Sequence, residues 1–371
     1  MPPLGLYVHI PFCLRKCAYC DFASWAGRAE DMPRYVSALC REIAGRGEAA
    51  GHPAADTVFF GGGTPSLLPP ALYLQIARAL REHFSIVPGA EWTVECNPGA
   101  LREEFAAALA ESGCSRVSLG MQAAQETLLR RLGRIHSREQ VCQAAQIVRR
   151  AGIENLNLDL MLGLPGQTRG DMEETLRFAL ELQPWHVSCY ALILEEGTPL
   201  HEAVERGSVS LPGEEADRAL YGLCRDTLRQ AGLFQYEISN FARPGGECRH
   251  NVNCWRREDY LGFGCAAHSL WQNERRANPR GLDAYLAGEA PEIQRLSPEE
   301  AMFESMMLGL RLTAGVEEAD FARRHGHALW EVYGEKLRPA LEDGRLARKN
   351  GAVFLTRRGM DVMNSVLVAL L

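Results

Sequence analysis

The chain has 371 residues, with 40 Lys and Arg against 47 Asp and Glu and a formal net charge of −7. That balance argues against a polycationic nucleic-acid binder and leaves room only for a local basic patch. A 46% hydrophobic and 23% charged content excludes a disordered chain, and the length suggests two domains or one large α/β barrel with an appendage. The longest uncharged stretch, residues 57–77, contains three glycines and three prolines, which rules against a membrane helix. The first basic residue is Arg15, so no leader with a basic start is read and a cytoplasmic location is expected.

In chain order, short β-rich runs alternate with helical stretches. Residues 6–10, 57–60, 92–96, 116–120, 155–162 and 186–194 read as six strands. Between them, a helix over 103–112 stops at Gly113. Ser137-Arg138-Glu139-Gln140 opens another as a capping box, running to Ala151 before Gly152, and residues 171–182 form a third. Strand and helix repeating about six times predicts parallel βα units, which right-handed crossovers arrange as an open doubly wound sheet or a barrel. Glu95, Gln122 and Asp159 stand at or near the ends of different strands, where barrels collect their active sites, and they favour a barrel. From about Phe241 the pattern becomes a Gly- and aromatic-rich connection. Ser297-Pro298-Glu299-Glu300 then starts a helix with cap, proline and glutamate in place. Further helices lead to a hairpin over 345–356 turning at Asn350-Gly351, and to a final apolar helix over 360–371. The expected division is an α/β domain over 1–240, a connecting segment over 241–296, and a smaller, mainly helical, winged-helix-like domain over 297–371.

Of the 12 cysteines, those dispersed through apolar patterns read as small buried hydrophobes. Cys13-x3-Cys17-x2-Cys20 differs, supplying three thiols from one loop directly after the first strand. Three thiolates hold a [4Fe-4S] cluster by three irons and leave one iron open to a small ligand; a structural zinc site would need a remote fourth ligand. Both readings fit the spacing. Gly61-Gly62-Gly63-Thr64-Pro65 follows the next strand and lacks the Gly-Lys-Ser/Thr ending of a phosphate-binding loop. It serves as a plain turn or as a place where backbone approaches a ligand closely.

The Cys-x3-Cys-x-aromatic-Cys pattern, with Tyr19 in the aromatic position, resembles the signature of the radical S-adenosylmethionine superfamily. Tyr7-Val8-His9-Ile10-Pro11-Phe12-Cys13, Phe60-Gly61-Gly62-Gly63-Thr64-Pro65, Glu95-Cys96-Asn97-Pro98, Gly120-Met121-Gln122, Gly133-Arg134 and Leu158-Asp159-Leu160-Met161 narrow the resemblance to its coproporphyrinogen dehydrogenase-like branch, the HemN/HemW family. The likeness runs through nearly the whole chain. It implies an incomplete parallel (βα)6-type barrel and a [4Fe-4S] cluster on Cys13, Cys17 and Cys20. It also implies S-adenosyl-L-methionine (SAM) chelating the open iron, with cofactor contacts from Tyr7, Tyr19, Gly62, Gly63, Thr64, Glu95, Gln122, Arg134 and Asp159.

Within that family, Phe22 stands where the dehydrogenases carry a fourth cysteine, and only six residues precede Tyr7, short of the segment that helps the dehydrogenases enclose two SAM molecules. Both departures resemble the heme-chaperone side of the family. His250-Asn251-Val252-Asn253-Cys254-Trp255 is similar to that side's His-Asn-x-x-Tyr-Trp heme-associated motif, with Cys254 replacing the tyrosine. The resemblance implies heme as ligand, His250 as its leading contact, Trp255 over a porphyrin face, and transfer of heme to acceptor apoproteins, respiratory enzymes among them. The competing reading is an oxygen-independent coproporphyrinogen III dehydrogenase. Basic pairs near the C-terminus lie among acids and read as a solvated face, so no nucleic-acid partner is expected. A peripheral membrane contact and a homodimer are compatible with these features.

Overall fold

The computed structural model describes residues 4–371; Met1–Pro3, where the reading for a leader begins, lie outside the described residues. All six expected strands form: β1 (Gly5–Ile10), β2 (Ala54–Gly62), β3 (Ser85–Cys96), β4 (Arg116–Gln122), β5 (Asn155–Leu162) and β6 (His186–Ala191). They lie parallel in sequence order, with α1 (Met32–Ala49), α2 (Pro70–His83), α3 (Glu103–Glu111), α4 (Glu126–Arg131), α5 (Arg138–Arg150) and α6 (Arg169–Glu181) in the returns. The Ser137–Gln140 capping box is present, and Thr168 with Asp171 makes a second one that starts α6 earlier than the apolar pattern suggests.

Side chains alternate across a strand, and here the alternation separates core from site. Val8, Phe60, Val94, Val117, Leu158 and Val187 are buried in one core with Tyr35, Ile76, Val141 and Leu176 from the helices. The intervening positions, Tyr7, Phe59, Glu95, Ser118, Asp159 and Tyr190, line the interior cavities described below.

The barrel is incomplete. After β6 come α7 (Pro199–Glu205) and α8 (Glu214–Gln230), and the sheet then continues with two antiparallel strands, β8 (Asn240–Ala242) beside β6 and β7 (Phe234–Gln235) outside it. Beyond β1 come β9 (Tyr260–Phe263), parallel to it, then β10 (His268–Trp271), β11 (Glu274–Ala277) and β12 (Glu292–Arg295), all antiparallel. Among the described residues these make one 12-stranded sheet, and β1 and β6 pair outward instead of with each other. The stretch 241–296, read as a connection, therefore extends the sheet and also carries α9 (Arg249–Trp255). Strands of four residues with charged positions such as Arg275 and Arg276 offer too little alternation to be read.

The C-terminal region has its own core, with Met306, Leu310, Phe321, Leu337, Val353 and Leu355 at its centre. It comprises α11 (Pro298–Gly309), opened by the expected Ser297–Glu300 box, α12 (Glu318–His325), α13 (Leu329–Glu342), and a hairpin of Leu346–Lys349 with Ala352–Leu355; the short helix Leu282–Ala287 is α10. Asn350 and Gly351 turn that hairpin with φ of 54° and 76°, the positive pair a tight two-residue turn requires. The final apolar stretch is two short helices, Arg357–Met360 and Met363–Val368, because Val362 at φ −133° leaves the helical region between them. No described helix is long and apolar enough to cross a membrane.

Candidate functional site

Cys13, Cys17 and Cys20, all partly exposed, line a cavity of about 410 Å³ at the ends of the strands. Backbone bonds hold their loop from several sides: Gly63 N–H donates to the Ile10 carbonyl at 2.8 Å, Ala18 N–H to the Leu132 carbonyl at 2.9 Å, and Leu200 N–H to the Ala18 carbonyl at 2.9 Å. Two sulfurs already receive donors, Cys13 from the Thr64 hydroxyl at 3.7 Å and Cys17 from Arg134 Nη1 at 3.6 Å. Hydrogen bonds of this kind hold a ligating sulfur in place from outside the coordination shell. Three cysteine sulfurs on one cavity wall are the donor set that a [4Fe-4S] cluster takes, each sulfur serving its own iron. The donor set thus fits a cluster.

The glycine loop is shaped by this packing. Gly62 has φ +106°, and a Cβ there would stand 2.5 Å from the His9 ring. A Cβ on Gly63 would meet the Phe12 carbonyl at 2.8 Å and the Cys13 sulfur at 3.1 Å. Glycine is needed first so that the cysteine loop can lie against this turn. Gly133, with φ +74° and Ala18 N 3.3 Å from its would-be Cβ, presses on the loop from the other side and delivers Arg134.

Tyr19, Gly62, Gly63, Thr64, Glu95, Gln122, Arg134 and Asp159 line the same cavity as the three cysteines. Arg134 Nη2 donates to the Gly120 carbonyl at 2.6 Å, and Gln122 ends β4 with φ +65°, a conformation a non-glycine side chain rarely adopts. Glu95 Oε2 accepts the Gly62 N–H at 3.2 Å. Burial and the nearby Asp159 push its carboxyl up to about 8. Asp159 accepts from the Ser118 hydroxyl and the Asn157 amide, both at 2.8 Å, yet burial still raises it above the usual carboxylate range. The buried Arg116 acts on both acids, but neither makes an ion pair among the described residues, and carboxyls held above their usual range suit a positively charged ligand.

Tyr7 and His250 do not join this group. They line a second cavity of about 1310 Å³, which shares Gly62, Glu95 and Tyr190 with the first. The Tyr7 hydroxyl lies 3.0 Å from His9 Nδ1. His250 packs on Phe59, 5.2 Å between ring centroids, with Nδ1 2.9 Å from the Thr57 hydroxyl. Burial lowers its imidazole to about 4, keeping the ring neutral, and a neutral imidazole tethered through one nitrogen is the form that coordinates a metal through the other. Arg311 lies over one face of Trp255, 4.3 Å from the ring centroid, so that face is not open to a porphyrin.

Several supporting residues carry no motif. Glu91 on β3 accepts the N–H groups of Arg249 and His250 at 2.9 and 3.0 Å and the Cys248 thiol at 3.5 Å, fixing the start of α9. A polar ladder runs beneath Asp159: Asn157 Oδ1 lies 2.6 Å from His186 Nδ1, His186 Nε2 lies 2.8 Å from the Tyr236 hydroxyl, and that hydroxyl accepts the Cys248 N–H at 3.2 Å. Inward-facing polar residues at alternate strand positions were the available signal.

A profile of the radical SAM superfamily matches residues 7–179, and one of the HemN C-terminal domain matches residues 296–362. The chain is 35% identical to the heme chaperone HemW of Bacillus subtilis, covering 98% of each protein. It is 34% identical to that of Escherichia coli over 99% of this chain and 98% of the relative, and 41% identical to that of Synechocystis over 85% and 79%. In fold it is similar to the coproporphyrinogen III oxidase HemN of Escherichia coli, with a TM-score of 0.86 at 23% identity over 100% of this chain and 90% of that one. An incomplete barrel with a cysteine loop at its strand ends, a HemN-type C-terminal domain and near full-length identity above 30% agree, and the chain belongs to the HemW family of radical SAM proteins.

Proposed function

We propose that the chain is a heme chaperone that binds heme in the larger cavity and passes it to acceptor apoproteins, respiratory enzymes among them. The observation that carries this reading is His250, a neutral imidazole anchored to Thr57 on the wall of a cavity adjoining the cysteine loop. The names of the relatives support it. Cys13, Cys17 and Cys20 would hold a [4Fe-4S] cluster, with Thr64 donating to the Cys13 sulfur and Arg134 to the Cys17 sulfur. A cluster held there would supply one-electron reducing chemistry toward SAM. Glu95 and Asp159 would offset the positive charge of SAM, Gln122 and the Gly62–Gly63 backbone would shape its pocket, and Tyr19 would close the cluster side. Tyr7, held at His9 in the larger cavity and close to Glu95, which lines both cavities, would sit between the two ligands.

The test is transfer. Full-length protein, reconstituted anaerobically and loaded with heme, is freed of excess heme and mixed with an apo-cytochrome. Heme moving to the acceptor supports the reading. Protein that retains no heme but converts coproporphyrinogen III to protoporphyrinogen with SAM and a reductant overturns it in favour of the dehydrogenase.

A further inference from the structure

At the seam with the C-terminal domain, the larger cavity carries a guanidinium that the cofactor chemistry above does not use. Arg311 follows α11, and its backbone is pinned across the seam, its carbonyl accepting the Ile238 N–H at 3.1 Å while Leu312 bridges to Glu237. Its side chain rests on Trp255 and lines the cavity. Arg311 Nε is buried without a hydrogen-bond partner among the described residues, and so are Trp255 Nε1 and Glu237 Oε2. The nearest opposite charge, Glu237 Oε2, is 3.7 Å from Arg311 Nη2, beyond hydrogen-bond reach. Glu237 is fully buried, and its other oxygen already accepts the Ser239 N–H at 2.9 Å.

Those three atoms are closed off from the cavity, but the outer guanidinium nitrogens Nη1 and Nη2 are not buried and make no hydrogen bond among the described residues, so the open end of the guanidinium is the part that can take a ligand group. Nη1 and Nη2 present their N–H groups side by side in a planar fork. The group that such a fork takes in two parallel bonds is a carboxylate. We propose that Arg311, seated on Trp255, anchors a carboxylate of the ligand in the larger cavity. This rests on the heme reading, since heme bears carboxylates along one edge. His250 and Trp255 stand at the two ends of α9, separated by about 7.5 Å of helix rise, so imidazole and guanidinium address the cavity from different points. The C-terminal domain thereby contributes a specificity residue to the barrel's cavity, one that selects porphyrins with free acid groups.

The test uses the full-length protein, wild type and Arg311→Gln, titrated with heme and with heme dimethyl ester, which keeps iron and ring but loses both charges. Wild type is expected to bind heme about tenfold or more tightly than the ester, and the variant to bind both alike with its ester affinity unchanged. Arg311→Lys, a point charge without the fork, is expected to recover part of the preference. Equal weakening of both ligands in Arg311→Gln would mean that Arg311 only packs Trp255, and would overturn the proposal. So would the absence of a heme-over-ester preference in wild type. Saturable binding without that preference removes the anchor alone, whereas failure of wild type to saturate with either ligand removes the heme reading with it.

Discussion

Replacing Glu91 with glutamine changes the electrostatics at the start of α9 without removing its shape. The carboxylate divides its oxygens, Oε2 to the Arg249 N–H at 2.9 Å and Oε1 to the His250 N–H at 3.0 Å, and at 7% exposure water has little access to replace them. Glutamine keeps one acceptor and turns an NH2 group toward the other N–H. One hydrogen bond to a charged group is worth about 1.5–3 kcal/mol, and the interaction of the charge with the helix N-terminus adds about 0.5–1 kcal/mol. A loss of about 2–4 kcal/mol is expected, read as a lower urea midpoint with an unchanged slope. Hydrogen exchange at residues 249–255 should accelerate and heme affinity should fall with it, while iron and sulfide content stay at the wild-type level because the cysteine loop's contacts are untouched. Unchanged stability together with unchanged exchange at the His250 amide would refute the claim that Glu91 organises this helix.

Glu95→Gln should separate stability from binding. With the folded carboxyl pushed up to about 8, the unfolded chain releases this proton first, so as pH rises from about 4.5 to 8 the native protein loses stability that the variant keeps. The variant should be more stable by about 2–4 kcal/mol at pH 8, yet bind SAM at least tenfold more weakly by calorimetry; a variant less stable than wild type at pH 8 contradicts the burial argument. Gly62→Ala places a Cβ 2.5 Å from the His9 ring at φ +106° and should destabilise by about 2–4 kcal/mol, with iron content after reconstitution reduced; wild-type iron loading would show that the loop tolerates the side chain. Cys17→Ser should abolish the broad visible absorbance of the reconstituted protein, whereas Cys142→Ser, on the outer helix α5, should leave it intact.

Much of this architecture is legible in the sequence, for identifiable reasons. The six parallel strands are buried on their helix-facing side and so carry strong apolar runs, and the Ser137 and Ser297 boxes mark helix starts through side chains whose only local partners are the next turn's N–H groups. The cysteine loop and the acids at strand ends stand out because thiols at close spacing and carboxylates inside apolar runs have few structural uses. The glycines were legible as a special backbone, but the His9 ring and the cysteine loop that demand them come from another strand. Glu91 was hidden because it acts on α9, more than 150 residues away, through backbone groups that leave no mark in the sequence. Strands β9 to β12 escaped because four-residue strands at a sheet edge need little apolar alternation, and Arg311 because an arginine after a helix reads as solvated until its burial against Trp255 is known. Tyr7, whose SAM contact the resemblance implies, lies at the middle of β1 and lines the larger cavity close to Glu95.

The most direct measurement is a heme titration of anaerobically reconstituted full-length protein and of His250→Ala, followed by the Soret band and by retention through gel filtration. The account predicts saturation near a single heme per chain in wild type, and a weaker, spectrally shifted complex in the variant with its iron–sulfur absorbance unchanged. Heme uptake that never saturates, or that is the same in both proteins, would contradict it.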